Sequence, residues 1–378
     1  MQRCAVSVLK RVFQFKRMYL LIGFPLGLLF TLLARMDNGW VEGIYIKYVH
    51  RFLENTVGRA VSFLPFSLSE WLIVAAILGA LAYIVWTVYF VFKNKSQFKH
   101  ILYRAFVSFL CLGSVAYFLF VITMGLCYYR TPASEYLNIS VRKYSAEELG
   151  EVTMWLAEQA VAERDKMQQD ENGIAKLEDE NWWETSAEAQ ACFNKISDKH
   201  TEIGKVTARN KPMVFSKTMS RVLTMGVYLP FTLESNINVD MPAYVVPSTM
   251  CHELSHVKGF MREDEANFLG FLACMQSSRS DFRYSGYMSA LGYALNRLAS
   301  EDYAAAVKVA HTVSEAVARD DTANQKYWDQ FRDTVVADTS GEIYNAYLES
   351  NDQKDGVKSY GKMLDLVIAW YQTEVKEK

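Results

Sequence analysis

The sequence predicts a mainly helical membrane protein in which three transmembrane helices precede a mixed α+β domain. Apolar residues are concentrated in the first third of the chain, which has 378 residues and is 51% hydrophobic overall. Amphipathic helical patterns fill most of the remainder. Short runs of β-forming residues interrupt them between Lys211 and Asp240. We therefore divide the chain into a membrane domain, residues 1–129, and a second domain, residues 130–378.

Three apolar runs are long enough to cross a bilayer, which takes roughly 20 residues of helix. We place these spans at about residues 18–35, 71–92 and 102–128. The first run lacks a small-residue cleavage site after it, so we interpret it as a signal anchor. The segment from Asn38 to Glu70 mixes aromatic and charged residues. This mixture is typical of a helix on the membrane surface, and it also fits a connector packed on the later domain.

Positive charge predicts how the spans are oriented. Basic residues without acids precede the first span, and others lie between the second and third spans: Arg3, Lys10, Arg11, Lys16, Arg17, Lys93, Lys95 and Lys99. The positive-inside rule places both groups in the cytoplasm. Three spans then put everything after Tyr129 outside the cell membrane. The net charge of −2 gives no electrostatic reason to propose nucleic acid as a partner.

The strongest functional signal is the HExxH motif formed by His252, Glu253 and His256. On a helix, two histidines four residues apart project from one face about 6 Å apart, close enough to hold one metal ion. Glu253 lies beside the first histidine, where its carboxylate can take a proton from water at the metal. Ser248 is the expected N-cap of this helix and Gly259 its stop signal. This is the zincin arrangement, and Zn²⁺ is the cofactor that we expect.

A catalytic zinc site with two histidines needs a third protein ligand and an open position for water. The next predicted helix, Met261 to Cys274, begins with the acids Glu263, Asp264 and Glu265. We favour Glu263 as the ligand because Asn267, four residues later on the same face, can hydrogen-bond a ligand side chain. Glu265 is the alternative.

Other residues are candidates to assist hydrolysis. Tyr284 or Tyr287 can donate a hydrogen bond to a developing oxyanion, although aromatic packing against the motif helix also explains them. The segment Gly226 to Asn238 is expected to supply an edge strand that pairs with an extended peptide, although a plain structural hairpin has the same pattern. Cys251 and Cys274 flank the motif helices and are either paired or buried as free thiols.

Most of the remaining sequence is predicted to form helices. The pair Ser145 and Glu148 has capping-box spacing before a run to about Gln169, and Thr185 opens a second run to about Lys199. The later predicted helices are Ser300 to Arg319, Asp321 to about Val336, Ser340 to Glu349, and Gly356 to Thr373. We assign these helices a scaffold role.

The run from Lys211 to Leu298 resembles the bacterial membrane proteins of the domain-of-unknown-function family 3810. The resemblance is carried by KPMVFSKTMS, GVYLPFTLESNINVDMP, CHELSHVKGFMREDEANFLGFLAC and DFRYSGYMSALGYALNRL, and it extends to FLPFSLSEWL, YYRTP and NDQKDGVKSYGKM. It implies three N-terminal membrane helices and a C-terminal zinc peptidase domain. Arg262 to Asn267 is also similar to the second-helix signature of membrane zinc peptidases of the CAAX-prenyl and heat-shock type. That similarity puts Glu263 at the ligand position and Asn267 where those enzymes have aspartate.

These observations predict a multi-pass cell-membrane protein whose outer domain is a gluzincin-like zinc metalloendopeptidase. His252, His256 and Glu263 would bind zinc, Glu253 would act as the base, and a peptide or protein would be the substrate. The alternative is a non-catalytic membrane sensor or binding module with a structural zinc. The intact Glu253 favours the enzyme, because a structural site has no use for a base.

Overall fold

The computed structural model describes residues 16–351, 353 and 362–376. This part of the chain is mainly helical, and three helices are long and apolar enough to cross a membrane: Lys16–Met36, Leu68–Lys93 and Lys95–Thr123. These candidate spans agree with the three predicted ones, although the second and third begin earlier than expected and the third ends earlier, at Thr123. The expected basic residues Arg3, Lys10 and Arg11 lie outside the described residues.

Besides short 3-10 segments, the described N-terminal part contains four helices. They are α1 (Gly23–Met36), α2 (residues 41–62), α3 (Leu68–Lys93) and α4 (Phe98–Thr123). α2 alternates between π-helical and α-helical turns, so that residues about four apart share a face. At the start of α3, the Ser67 hydroxyl accepts a hydrogen bond from the Glu70 amide. This cap lets the apolar run that follows continue as one unbroken helix.

The segment between the first two spans packs on the later domain. Lys258 Nζ lies 2.5 Å from Glu54 Oε2 in a buried ion pair, and Arg51 donates to the Glu202 carbonyl oxygen over 2.7 Å. One cluster of buried apolar side chains runs from Ala34 to Tyr371. A continuous core therefore crosses the predicted boundary at residues 129 and 130.

In the part of the chain that the structure describes, a single helical turn at Ala133–Tyr136 is followed by ten longer helices. They are α5 (Ala146–Arg164), α6 (Trp182–Lys199), α7 (Ser216–Arg221), α8 (Val246–Val257), α9 (Glu263–Cys274), α10 (Ser280–Glu301), α11 (Tyr303–Ala310), α12 (Glu315–Asp329), α13 (Val335–Ser350) and α14 (Met363–Tyr371). The capping box of Ser145 and Glu148 is confirmed at α5. α6 begins earlier than predicted, because the Asn181 side chain accepts a hydrogen bond from the Trp183 amide and caps the helix there.

The later helix boundaries differ from the predicted ones. The predicted helix from Ser300 to Arg319 is wrong, because α10 ends at Glu301 and the chain breaks again between α11 and α12. Asp302 caps α11 and Ser314 caps α12, each through a side-chain oxygen that accepts a backbone amide. Part of the expected helix from Gly356 to Thr373 falls outside the described residues.

A small sheet lies before the motif helix, as predicted. Its strands are β1 (Asn210–Pro212), β2 (Gly226–Leu229) and β3 (Glu234–Ile237), in the order β1-β3-β2. β3 runs parallel to β1 and antiparallel to β2, with Gly226 opposite Ile237. β2 is therefore an edge strand, and both β2 and β3 pack against α8.

The motif helix α8 begins about one turn earlier than predicted. Val245 is its N-cap residue, and the Ser248 hydroxyl donates to the Val245 carbonyl oxygen, so the predicted cap by Ser248 is wrong. Gly259 ends the helix as predicted, at a φ of 86° that disfavours other residues. The tight bend brings α9 back alongside α8.

Candidate metal centre

Two motif helices bring three possible metal ligands together. One ligand atom each from His252, His256 and Glu263 lies within 4.8 Å of the other two. Glu263 Oε2 is 3.3 Å from His252 Nε2 and 3.7 Å from His256 Nε2. The helices approach this closely because α9 has Gly270 at the contact, where a Cβ atom would lie only 3.0 Å from the His252 amide nitrogen.

The spacing of these atoms fits a zinc ion. Tetrahedral coordination with metal–ligand distances of about 2.0–2.1 Å separates neighbouring ligand atoms by roughly 3.4 Å. Glu263 Oε2 is buried and has no hydrogen-bond partner among the described residues. The two imidazoles lie near this oxygen without forming a hydrogen bond to it, and a cation held by the two histidines and Glu263 would satisfy it. The donor set is the His2Glu set of catalytic zinc sites.

Neighbouring groups orient the proposed ligands. His256 Nδ1 lies 2.8 Å from the Phe260 carbonyl oxygen, so a proton on Nδ1 leaves Nε2 available to a metal. The second oxygen of Glu263, Oε1, accepts a hydrogen bond of 2.5 Å from the Tyr344 hydroxyl. Both contacts hold a ligand side chain so that its remaining donor atom points into the cluster.

The carboxylate of Glu263 favours positive charge on the groups around it. Burial alone would lower the pKa of His256, but the nearby carboxylate of Glu263 outweighs it and raises that pKa to about 9. Burial likewise opposes ionisation of Glu263, yet the charge of His256 holds its pKa well below the ordinary value. Glu263 is therefore an ionised carboxylate in the interior.

Glu253 lies beside this cluster and is almost completely buried, with 3% of its surface exposed. Burial raises the pKa of its carboxyl group, and His256 and His252 partly offset this effect. Its Oε2 atom has no hydrogen-bond partner among the described residues. A carboxylate with few partners and a raised pKa is a stronger proton acceptor than a solvated one.

Gly226 of the edge strand makes room for Glu253. A Cβ atom at residue 226 would lie 2.5 Å from Glu253 Oε1 and 2.7 Å from Glu253 Cγ. The backbone of β2 therefore passes directly against the proposed base. Sequence reasoning missed this role, because a glycine at the start of a strand gives no sign of which side chain it faces.

Glu265, the alternative third ligand, forms hydrogen bonds away from the two histidines. Its Oε1 atom accepts hydrogen bonds from the Ala133 amide over 3.0 Å and from the Arg262 guanidinium over 2.5 Å. It is not part of the histidine cluster. The Nδ2 atom of Asn267 is buried without a hydrogen-bond partner among the described residues, and no contact from Asn267 to a proposed ligand is seen.

The two predicted oxyanion donors make contacts away from the cluster. The Tyr284 hydroxyl donates to Asp320 Oδ2 over 2.8 Å, and the Tyr287 ring packs edge-on against Trp155 and Phe271. No described contact places either hydroxyl at the cluster, and their catalytic role stays a prediction. The tyrosine that does reach the cluster is Tyr344 on α13. It is 81 residues beyond Glu263, and no local spacing pattern connects the two.

Cys251 and Cys274 are both buried free thiols, so the pairing alternative is not seen in the structure. Neither contributes to the cluster of possible metal ligands.

The chain matches one known protein family. The family described as "Protein of unknown function (DUF3810)" matches residues 45–368, a range that contains all the residues of the cluster. No curated protein and no solved structure matches the chain.

Proposed function

The chain belongs to the DUF3810 family, and from its metal centre we propose that it is a membrane-anchored zinc metallopeptidase. One observation carries the proposal. Two histidines and a buried carboxylate converge at the spacing of a zinc site, with the further carboxylate of Glu253 alongside them. A structural zinc site has no need for that further carboxylate.

His252 and His256 would hold the zinc through Nε2, and Glu263 would hold it through Oε2. Bound zinc polarises a peptide carbonyl and makes water in its open position more acidic. His252 is the most exposed of the three ligands, with 15% of its side-chain surface accessible, against 8% for His256 and 6% for Glu263. We therefore infer that substrate and water enter on the His252 side.

Glu253 would move the protons of the reaction. Its buried carboxylate accepts a proton from the attacking water and then returns it to the departing amine. Gly226 keeps the strand backbone against this carboxylate, which restricts where the side chain can go. Such restriction matters because displacement of a catalytic group by about 1 Å can cost 100-fold in rate.

Strand β2 would bind the main chain of the substrate. Among the described residues it pairs only with β3, so its other edge can accept an extended peptide. Strand addition recognises backbone groups and tolerates varied side chains. A peptide paired with β2 would pass beside Gly226 and therefore beside the proposed base.

We also propose that this domain lies outside the cytoplasm. Two contacts support this: the Leu68 amide at the start of α3 donates to Glu234, and Tyr228 donates to the Thr123 carbonyl oxygen at the end of α4. Lys93, Lys95 and Lys99 lie at the other ends of these two helices. Basic loops stay in the cytoplasm as a rule.

The test uses the full chain purified in detergent micelles, loaded with zinc and given a mixed peptide library. The full chain is needed because Glu54 of α2 pairs with buried Lys258, and a fragment without α2 would leave that charge unpaired. We expect hydrolysis by the natural sequence and by the control Glu158→Gln, whose side chain is exposed on α5. Glu253→Gln should retain zinc and lose hydrolysis, and His256→Ala should lose both.

Zinc retained by the natural sequence without cleavage of any library peptide would contradict the peptidase proposal. That result would support a metal-stabilised sensor or binding module. Equal hydrolysis by Glu253→Gln and the natural sequence would remove Glu253 from the mechanism.

A further inference from the structure

Helix α2 has an exposed apolar row on the side away from the domain. Ile44, Tyr48 and Phe52 follow one another at four-residue intervals and are 59%, 61% and 65% exposed. The opposite side of the helix is buried against the domain, including His50 and Glu54. A helix whose inner side is already buried against the domain needs a further apolar partner to cover an exposed apolar row on its outer side.

The residues beside this row suit a lipid headgroup region. Lys47, Arg51, Asn55 and Arg59 form a second row at the same four-residue spacing, and three of the four are basic. Apolar and aromatic residues flanked by lysine and arginine are the composition of helices that lie in the membrane interface. Arg51 is also bonded to the Glu202 carbonyl oxygen, which ties this row to the domain.

The position of α2 identifies which surface covers it. The first span ends at Met36, shortly before α2, and the second begins at Leu68, shortly after it. The Tyr45 hydroxyl donates to the Ile122 carbonyl oxygen over 2.9 Å, and Ile122 is in the last turn of the third span. α2 therefore lies at the ends of all three candidate spans, and the lipid surface of the same membrane is the occupant that fits its exposed row.

The turn that ends the motif helix packs on the inner side of α2. A Cβ atom at Gly259 would lie 3.5 Å from His50 Cε1 and 3.5 Å from Ile46 Cδ1, and Gly259 is three residues beyond His256. The Lys258 and Glu54 ion pair adds a buried polar link at the same point. One helix of roughly 10 Å diameter therefore separates the end of the motif helix from the lipid.

The proposed substrate strand and the helix that carries Tyr344 also meet the membrane spans. The Tyr228 hydroxyl of β2 donates to the carbonyl oxygen of Thr123, the last residue of α4, over 3.3 Å. On α13, the Tyr347 ring lies 6.2 Å from the Phe120 ring of the third span, and Tyr347 is one turn from Tyr344. Strand β2 and helix α13, which bring Gly226 and Tyr344 to the site, thus both contact the end of one membrane helix.

We propose that α2 is embedded in the membrane surface and holds the metal centre beside the bilayer, so that the substrate is a peptide segment of a polypeptide anchored in the same membrane. The substrate class rests on the proposed peptidase function, whereas the position of α2 does not. The reaction is hydrolysis, in which one water breaks the amide bond. Its oxygen and one hydrogen form the new carboxyl group, and its other hydrogen goes to the new amine.

The position of α2 is tested with nitroxide labels on the full chain in phosphatidylcholine and phosphatidylglycerol vesicles. Labels are placed at Phe52→Cys and, as the matched control on the polar row, at Asn55→Cys. Cys4 is replaced by serine in both, because the other five cysteines are buried. We expect the label at residue 52 to collide more often with oxygen than with a water-soluble nickel complex, and the label at residue 55 to do the reverse. Equal nickel accessibility at the two positions would overturn the proposal.

The substrate class is tested with one randomised ten-residue peptide in two forms. One form is soluble, and the other is joined to an apolar span of about 20 residues. Anchoring in the same vesicles should raise the cleavage rate on the order of 100-fold, because the bilayer raises the effective concentration. Equal rates for the soluble and anchored forms, or equal rates when the anchored form is in separate vesicles, would overturn the substrate class and leave the peptidase standing. Cleavage of neither form would overturn the peptidase and the substrate class together, while the labels still decide the position of α2.

Discussion

The contact between Gly226 and Glu253 gives the most direct test of how the site is built. In Gly226→Ala the new methyl group would meet three atoms of the Glu253 side chain at 2.5, 2.7 and 2.9 Å. All three distances are shorter than ordinary contacts, and Glu253 is buried, so the carboxylate or the strand must move. Overpacking of this kind costs about 1–3 kcal/mol of unfolding free energy.

The assay is denaturant unfolding of the full chain in micelles, arranged as a double-mutant cycle. We expect Gly226→Ala to be destabilised by about 1–3 kcal/mol in the natural background. In the Glu253→Ala background the clash is gone, so most of that loss should disappear, and the difference is the coupling energy. Gly150→Ala on α5 is the matched control. No atom lies within 4 Å of its added methyl group, and alanine in a helix should stabilise by up to about 1 kcal/mol.

A coupling energy near zero would refute the argument that β2 presses against the base. The same variants can be tested for hydrolysis. If Glu253 is the base, its displacement in Gly226→Ala should lower the rate by about 100-fold while zinc stays bound.

Three further predictions concern other contacts of the site and its support. Tyr344→Phe removes the hydrogen bond to a proposed ligand and should weaken zinc binding by about 10–100-fold in a chelator competition, whereas exposed Tyr303→Phe should not. Tyr284→Phe should lower the unfolding free energy by about 1–3 kcal/mol and leave zinc affinity unchanged, because Asp320 loses a buried donor. Burial and the nearby charge of Lys258 lower the pKa of His50 from 6.5 to about 3, so the unfolded chain binds more protons between these values. The free energy of unfolding should therefore fall by at most about 5 kcal/mol as the pH falls from 6.5 towards 3. Unfolding curves of His50→Phe should lack this part of the decline, whereas those of His311→Phe, a change at an exposed histidine, should keep it.

Local spacing was enough to predict part of the site. The interval between His252 and His256 fixes both side chains on one face of any helix that contains them, and Gly259 then forces the turn that returns the chain. The three membrane spans were predictable for a similar reason, because length and hydrophobicity alone decide whether a helix can cross a bilayer.

Long-range contacts account for what the sequence could not decide. Glu263 and Glu265 are equivalent by composition, and the difference appears only when the Ala133 amide and Arg262 engage Glu265. Tyr344 and Gly226 reach the site from α13 and β2, and their sequence positions give no indication of this. Sequence composition alone left the two interpretations of α2 as alternatives, a connector or a surface helix. The packing of its inner side now shows the connector, and its exposed outer row supports the surface helix as well.

Helix capping explains the boundary errors. Ser248 is a favourable cap by residue type, but α8 starts earlier and its hydroxyl bonds within the first turn. Asp302 and Ser314 cap helices inside a stretch that alanine-rich composition predicts as one continuous helix. A side chain of these types can either cap a helix or lie within one, and tertiary packing decides between the two.

Zinc content and zinc X-ray absorption of the full chain, measured beside Glu263→Gln and Glu265→Gln, decide which carboxylate binds the metal. We expect one zinc per chain in the natural sequence and in Glu265→Gln, with two imidazole nitrogens and a carboxylate oxygen at about 2.0–2.2 Å. Glu263→Gln should lose this zinc. Full zinc occupancy in Glu263→Gln, or loss of zinc in Glu265→Gln alone, would contradict the ligand assignment on which the proposed function rests.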